Sequence, residues 1–273
     1  MKRLIVLPII LNGMLAAQDI TVGAANWRQI GISLVSSSDP EFAGLASHLT
    51  PPSAPDLTPA LPYSFVLRNG TGKAIIALGV RWTCTNAAGK TQTHDRMWIN
   101  HTTAGNGGTV SAGADRLVTP ILSVGTSLTP AKLAKELERF QGMLTITPSL
   151  EAVILSDGTA LGPDANNTIP RVQARLDAEK HVLASISAAW QQGGASALTE
   201  YLQGVITAAP LQHGDMAAVK ARTPSLAYAM VFSDVEREHA TGLLKKASTD
   251  PGVVAAFAQR LLVTRDYPDI HRQ

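Results

Sequence analysis

The stretch from residue 76 to residue 84 reads Ile-Ala-Leu-Gly-Val-Arg-Trp-Thr-Cys, and it decides how the first half of the chain is interpreted. Larger apolar side chains occupy every second position of it. Successive side chains of a β-strand point to opposite faces, so this alternation predicts a strand with one face in a hydrophobic core. The predicted core face consists of Ile76, Leu78, Val80, Trp82 and Cys84.

Cys84 is the single cysteine of the chain, and the alternation places it on this core face. A buried free cysteine behaves as a small hydrophobic residue, whereas a catalytic thiolate needs a basic, partly exposed setting and a histidine partner. We therefore expect Cys84 to belong to the core. One cysteine also excludes an intramolecular disulfide and a zinc site built from several thiolates.

Turn signals flank this strand and recur through the first half of the chain. Asn69–Gly72 and Asn86–Gly89 are rich in the residues that turns favour, and Asp157-Gly158 is a strong hairpin signal. Short strands between regular turns are typical of a β-sandwich. Further strands are predicted around Ile30–Leu34, Phe65–Leu67, Arg96–Asn100, Thr109–Val110, Leu117–Leu122 and Leu150–Leu155.

One helix is expected to interrupt the predicted sandwich, over residues 129–141. Thr129 can cap its first turn and Pro130 suits the first helical position, while Gly142 ends the apolar periodicity. From Thr168 onward the pattern is helical throughout. Gly193-Gly194 divides the first long segment, and Asp250-Pro251 starts the last one. The sequence thus predicts an α+β protein in which a β-sandwich precedes an all-α domain.

The first seventeen residues have the anatomy of a secretory signal peptide. Lys2 and Arg3 give a positive start, residues 4–15 are almost wholly apolar, and Ala16-Ala17 offers small residues for cleavage. The apolar run is shorter than the roughly 18 to 20 residues that cross a bilayer. We expect an exported protein, periplasmic or extracellular, with no transmembrane segment after cleavage near Ala17.

Charge argues against nucleic acid as a partner. The chain has 23 Lys and Arg residues against 21 Asp and Glu, and both excess cations lie in the signal segment. The mature chain is therefore formally neutral, and neither half has the one-signed field that nucleic-acid binding requires. Another envelope protein or a surface ligand is the expected partner.

Motif searches for catalysis find no G-x-S-x-G elbow, no H-E-x-x-H and no glycine-rich phosphate loop. If the chain is a hydrolase, its site must be assembled from distant residues of the β half. The candidates are then His94, Asp95, His101 and Asp115. His94 and Asp95 are adjacent on a predicted strand, so their side chains should point to opposite faces.

No cofactor motif is present, and one oxygen-rich patch offers candidate metal ligands. Asp157, Asp164 and Asn166 lie close together in the sequence, and calcium prefers such oxygen ligands. The EF-hand spacing is missing, however, and turn and helix-cap chemistry explains the same residues. We therefore expect no resident metal.

Two stretches resemble known exported bacterial proteins. Residues 65–75, Phe-Val-Leu-Arg-Asn-Gly-Thr-Gly-Lys-Ala-Ile, resemble a strand–turn–strand unit of immunoglobulin-like domains. Residues 153–164 resemble the D-G-x-x-x-G-x-D segment that closes the β part of uncharacterised exported proteins with a helical tail. The resemblance implies an immunoglobulin-like sandwich and export, and it transfers no functional residues.

Together these features predict three segments: a signal peptide over residues 1–17, an immunoglobulin-like sandwich over 18–165 and a helical domain over 166–273. The failure of the catalytic searches favours a non-enzymatic binding or protein-interaction module of the bacterial envelope. The alternatives are an envelope hydrolase and a structural protein that oligomerises through its alanine-rich helices.

Export gives the first testable prediction. In a bacterial host, the exported protein should begin at Gln18, as read by N-terminal sequencing and intact mass. Replacing Ile9 and Ile10 together by arginine should leave the precursor uncleaved, because two charges then interrupt the apolar segment that a signal peptide requires. Lys2→Arg preserves the positive start and should be cleaved normally. Uncleaved wild-type protein in the envelope would contradict the signal-peptide assignment.

Overall fold

A computed structural model describes residues 26–50, 56–99, 109–121, 129–208, 224–265 and 267–272. The predicted signal peptide and His101 lie outside these ranges. The strands are β1 (Ile32–Ser36), β2 (Phe65–Asn69), β3 (Ile75–Asn86), β4 (Thr91–Ile99), β5 (Asp115–Val118), β6 (Met143–Leu155), β7 (Thr159–Leu161) and β8 (His271–Arg272). The α-helices are α1 (Phe42–Leu49), α2 (Pro130–Leu137), α3 (Thr168–Thr207), α4 (Pro224–Ala247) and α5 (Pro251–Thr264).

Two sheets make up the β half of the molecule. The three-stranded sheet has the order β1-β2-β5, and the five-stranded sheet has the order β4-β3-β6-β7-β8. All neighbours are antiparallel except β7 and β8. The α+β class, with strands followed by a helical region, is therefore confirmed. None of the described helices is long and apolar enough to cross a membrane.

The core between the two sheets contains the side chains that the alternation in β3 predicted. Leu78, Val80, Trp82 and Cys84 are all buried there with residues of the opposite sheet, such as Phe65. Cys84 is thus a core residue, and burial raises the pKa of its thiol to about 11. The sheets are held face to face by this shared apolar cluster.

Ile76 corrects the predicted core face. A β-bulge at the start of β3 shifts the register to β6 between Ile75 and Ala77. The extra residue places Ile75 in the inter-sheet core and turns Ile76 toward the opposite face, where it packs beside Ala77. The prediction for Ile76 was wrong because strict alternation assumes an unbulged strand.

Helices cover the outer faces of both sheets. The predicted helix at residues 129–141 is present as α2 with a 3-10 turn after it, and the Thr129 side chain caps it. The sequence missed α1, which packs Phe42 and Ala46 against Val35 and Val66 on the outer face of the three-stranded sheet. The first part of α3 covers the outer face of the five-stranded sheet.

The helical region has its own core. Helix α3 leaves the helical conformation at Gly193 and Gly194, where the sequence predicted a break. Residues on both sides of that break, including Leu183 and Leu198, share one apolar cluster with α4 and α5. The Asp250 side chain caps α5 by accepting a hydrogen bond from the Val253 amide.

The end of the chain returns to the β half, so residues 166–273 are not wholly helical. Arg265 forms a buried ion pair with Glu179 of α3. Further along, the Ile270 amide donates to Gln173 of α3 at 2.8 Å, and the His271 amide donates to the Gly158 carbonyl at 3.0 Å. We call residues 265 and 267–272 the C-terminal strap, because they connect α5, α3 and the sheet edge at β7.

The strap gives a stability prediction at Gly158. Its φ is +87°, and an added Cβ would lie 2.2 Å from the Asp269 carbonyl oxygen of the strap. Gly158→Ala should lower the free energy of unfolding through left-handed strain of about 1–2 kcal/mol and a further overlap of about 1–3 kcal/mol. Urea unfolding measures this loss, and hydrogen exchange at the His271 amide reports release of the strap.

Gly89→Ala is the matched control for that substitution. Gly89 has φ +74° in the β3–β4 turn, and nothing lies within 4 Å of its added Cβ. Gly89→Ala should therefore lower the free energy of unfolding by the left-handed strain alone. Hydrogen exchange at the His271 amide should stay as slow as in the wild type. Equal losses at the two positions would mean that the strap contributes no measurable stability.

Candidate functional site

A small cavity of about 200 Å³ lies where the five-stranded sheet meets the start of α3. We call it the polar pocket, because charged and polar groups from β3, β4, β6 and α3 surround it. Its position between the sheet and the helical region is a common place for ligand sites. It is lined by Val80, Asp95, Arg96, Met97, Glu151, Asn166, Thr168 and Arg171.

Arg81 is the centre of the charge network beside the pocket. Its Nε donates to Asp95 Oδ1 at 3.0 Å, and its Nη1 lies 3.7 Å from Glu151 Oε1. The same guanidinium donates to the side-chain oxygen of Asn166 at the start of α3. Arg81 lies opposite Asp95 in the β3–β4 register, so the strand pairing itself sets up the first of these contacts.

Glu151 owes its position to a second β-bulge. The β3–β6 register shifts between Gly79 and Val80, which pair with Ala152 and Leu150, so Glu151 is the extra residue. Such a bulge re-aims a side chain, here out of the apolar strand and toward α3. Glu151 is only 5% exposed, and its carboxylate also accepts a hydrogen bond from the Ala165 amide.

Gly79 allows α3 to approach the sheet closely. A Cβ at this position would lie 2.9 Å from Thr168 Oγ1 and 3.0 Å from Thr168 Cγ2. Any larger residue would therefore displace the first turn of α3. The absence of a side chain at Gly79 brings Thr168 and Arg171 to the pocket wall.

Arg171 differs from the other charged groups of the pocket. Arg81 contacts two carboxylates, and Arg96 forms an ion pair with Glu136 at 3.1 Å. The Arg171 guanidinium has no hydrogen bond and no ion pair within 4 Å among the residues that the structure describes. Burial lowers the pKa of Arg171, and the more distant carboxylates of Asp95 and Asp164 partly oppose this. It is a partly buried cation that lines the cavity and has room for an anionic partner.

The three predicted catalytic candidates that the structure describes do not form one cluster. Asp95 lines the polar pocket, while His94 points to the other face of β4 and packs edge-on against Phe140 with ring centroids 5.4 Å apart. Burial lowers the pKa of His94, and nearby Arg139 and Arg96 lower it further. Asp115 lies in the other sheet, where it pairs with Arg68. The opposite orientation of His94 and Asp95 agrees with the strand geometry.

The predicted metal candidates each contact another group of the protein. Asp157 pairs with Lys73 at 2.5 Å, and this hydrogen bond lowers the pKa of its carboxyl to about 2. Asp164 accepts a hydrogen bond from the Ile169 amide, and Asn166 accepts one from Arg81. Within the described ranges, no three His, Cys, Asp or Glu residues lie close enough together to hold a metal ion.

Sequence reasoning missed Arg81, Glu151 and Arg171. A signal was present for two of them, because Arg81 and Glu151 are charged residues inside otherwise apolar strands. A charge at such a place calls for an opposite charge nearby. No comparable signal marks Arg171, which is an ordinary residue in the first turn of a helix.

A larger, open groove lies in the helical region, with a volume of about 790 Å³. It runs between α3 and α4, and most of its lining is small, such as Ala188, Ala197 and Gly204. Tyr201 also lines it, and burial raises the pKa of that hydroxyl.

Three charged residues, Glu200, Glu236 and Arg237, also line the groove. Glu236 is paired with His181 at 2.6 Å, and Arg237 donates to the Ala208 carbonyl at 2.9 Å. The polar pocket is smaller and draws its charged groups from both the sheet and α3, so it is the better candidate site.

Comparison with known proteins adds no assignment to this geometry. The chain matches no protein-family model, no curated protein and no solved structure. The identification of a site therefore depends on the contacts and charges described above.

The network around Arg81 gives the third prediction. Arg81→Met should lower the free energy of unfolding by about 3–5 kcal/mol, because it leaves the buried Glu151 carboxylate without its cation. Arg68→Met is the matched control on the other sheet, since its partners Glu41 and Asp115 are more exposed. That substitution should cost less than about 1 kcal/mol. Urea unfolding measures both free energies. Similar losses of stability in Arg81→Met and Arg68→Met would show that the ion pairs of Arg81 are not buried.

Proposed function

We propose that the protein is an exported, non-enzymatic binding module of the bacterial envelope, and that the polar pocket is its ligand site. The observation that carries this proposal is Arg171, a partly buried cation on the pocket wall with no ion-pair partner among the described residues. Partial burial weakens the hydration of a charge, so an anionic partner at this place would be favourable. A bound anionic group would supply the missing partner.

The strand order supports an immunoglobulin-like sandwich as the scaffold. That fold keeps strands A, B and E in one sheet and C′, C, F and G in the other. The orders β1-β2-β5 and β4-β3-β6-β7 agree with this if the strands are assigned in chain order. Trp82 on β3 is buried between the sheets, like the tryptophan on strand C of immunoglobulin domains. Strand D has no counterpart among the described strands.

Export is supported by the sequence of residues 1–17. Its positive start, short apolar run and small residues near Ala17 fit a signal peptide, and its removal leaves a formally neutral chain. A neutral surface favours a small ligand or an envelope protein over nucleic acid. The protein would then act in the periplasm or outside the cell.

Binding is favoured over hydrolysis by the state of the pocket carboxylates. A hydrolase of this kind needs a carboxyl or histidine that is free to move a proton to or from the substrate. Asp95 and Glu151 both lie against Arg81, and the lining residues include neither histidine nor cysteine. This arrangement suits a fixed binding site better than a proton-transfer site.

The proposed function predicts capture of a small molecule by the pocket. Purified mature protein is incubated with an envelope extract of its host, and native mass spectrometry records any bound compound. We expect a stoichiometric adduct with the wild type and with Arg175→Gln, whose side chain is paired with Glu238 outside the pocket. Arg171→Gln should lose the adduct, because it removes the unpaired cation.

Two results would contradict the proposal. One is the absence of any adduct, and the other is an adduct of equal occupancy in Arg171→Gln. Recovery of a chemically altered compound after incubation would instead favour the hydrolase alternative. Light scattering of the mature protein checks the third possibility, because a monomer has no oligomerising structural role.

A further inference from the structure

We propose that the polar pocket recognises a small zwitterion, an α-amino acid with a short side chain. This inference rests on the proposed function, since it names the ligand class of the same site. The argument depends on how charge is distributed across the pocket and on how much space the pocket offers.

The sheet side of the pocket has an excess of negative charge. Asp95 and Glu151 carry two carboxylates, and within 4 Å both have the same guanidinium, that of Arg81, as their ion-pair partner among the described residues. Arg96 does not relieve this excess, because it is ion-paired with Glu136 of α2. A ligand ammonium group beside Asp95 would balance the second carboxylate.

The helix side of the pocket has an excess of positive charge. Arg171 lies in the first turn of α3 and faces the cavity without an ion pair within 4 Å among the described residues. Arg175, one turn later, is paired with Glu238, and Asp164 accepts hydrogen bonds from the start of α3. A carboxylate suits this end because a guanidinium can bind both of its oxygens and a helix N-terminus favours negative charge.

Charge balance excludes simpler ligands. The polar pocket as a whole is neutral when Arg81, Arg171, Asp95 and Glu151 are counted together. A bound monoanion would give this partly buried site a net negative charge, and a bound monocation would give it a net positive charge. Unbalanced buried charge is costly, so a ligand that carries both signs fits best.

The size and walls of the pocket limit the side chain of the ligand. A volume of about 200 Å³ is below the range of about 300–1,000 Å³ that is usual for pockets of drug-sized ligands. Among the α-amino acids, this small volume favours the smallest, glycine and alanine. Met97, which packs with the apolar cluster on the outer face of the sheet, supplies an apolar side chain to the pocket wall and suits a hydrogen or a methyl group.

Calorimetric titration of the mature protein with defined probes tests this inference. The probes are glycine, L-alanine, sodium acetate, methylammonium chloride and L-leucine. We expect glycine and alanine to bind at least tenfold more tightly than acetate, methylammonium or leucine. Arg171→Gln should weaken amino-acid binding by about tenfold or more, the size expected for a charge-assisted hydrogen bond. Asp95→Asn should weaken it as well, and Arg175→Gln should leave it unchanged.

Each other outcome overturns the inference in a distinguishable way. If acetate binds as tightly as glycine and Arg171→Gln abolishes acetate binding, the pocket is a simple anion site. That result would refute the zwitterion inference and leave the proposed function standing. Leucine binding as tight as alanine binding would refute the size limit. Binding of none of the probes to the wild type would overturn the zwitterion assignment, while the extract experiment would still decide whether the pocket binds a ligand at all.

Discussion

The buried carboxylate of Glu151 is the constraint on which the junction between the sheet and the helical region depends. A carboxylate that is 5% exposed needs a cation, and Arg81 is the one described cation within 4 Å of it. Arg81 must therefore remain on the outer face of β3, where it also contacts Asp95 and reaches Asn166 before α3. The same ion-pair network thus links β3, β4 and β6 with the residues just before α3.

The sequence predicted those parts of the fold in which one local pattern dominates. Leu78, Trp82 and Cys84 were placed correctly because alternation in a half-buried strand follows directly from backbone geometry. The helix boundaries were also predicted correctly at two places, the break at Gly193-Gly194 and the start of α2 at Thr129-Pro130. Glycine interrupts a helix and proline suits its first turn for stereochemical reasons. Such signals depend on neighbouring residues only.

The features that escaped prediction depend on long-range register. Ile76 was assigned to the wrong face because a β-bulge arises from the pairing of β3 with β6 and not from β3 alone. The bulge at Glu151 has the same origin, and its extra residue lines the polar pocket. The two-residue strand β8 is too short to show a pattern in the sequence. Its pairing with β7 depends on where the chain runs after the end of α5. The candidate site could therefore not be located from spacing in the sequence.

Helix α3 is held against the sheet at points spread along its first part, and the pocket lies among them. Thr168 packs against Gly79, and Gln173 accepts a hydrogen bond from the C-terminal strap. Arg171 lies between these two contacts but has no direct link to the sheet among the described residues. A ligand that joined Arg171 to Asp95 would connect α3 to β4 through its own atoms. Because such a ligand binds only the folded junction, its binding free energy would add to the stability of that junction.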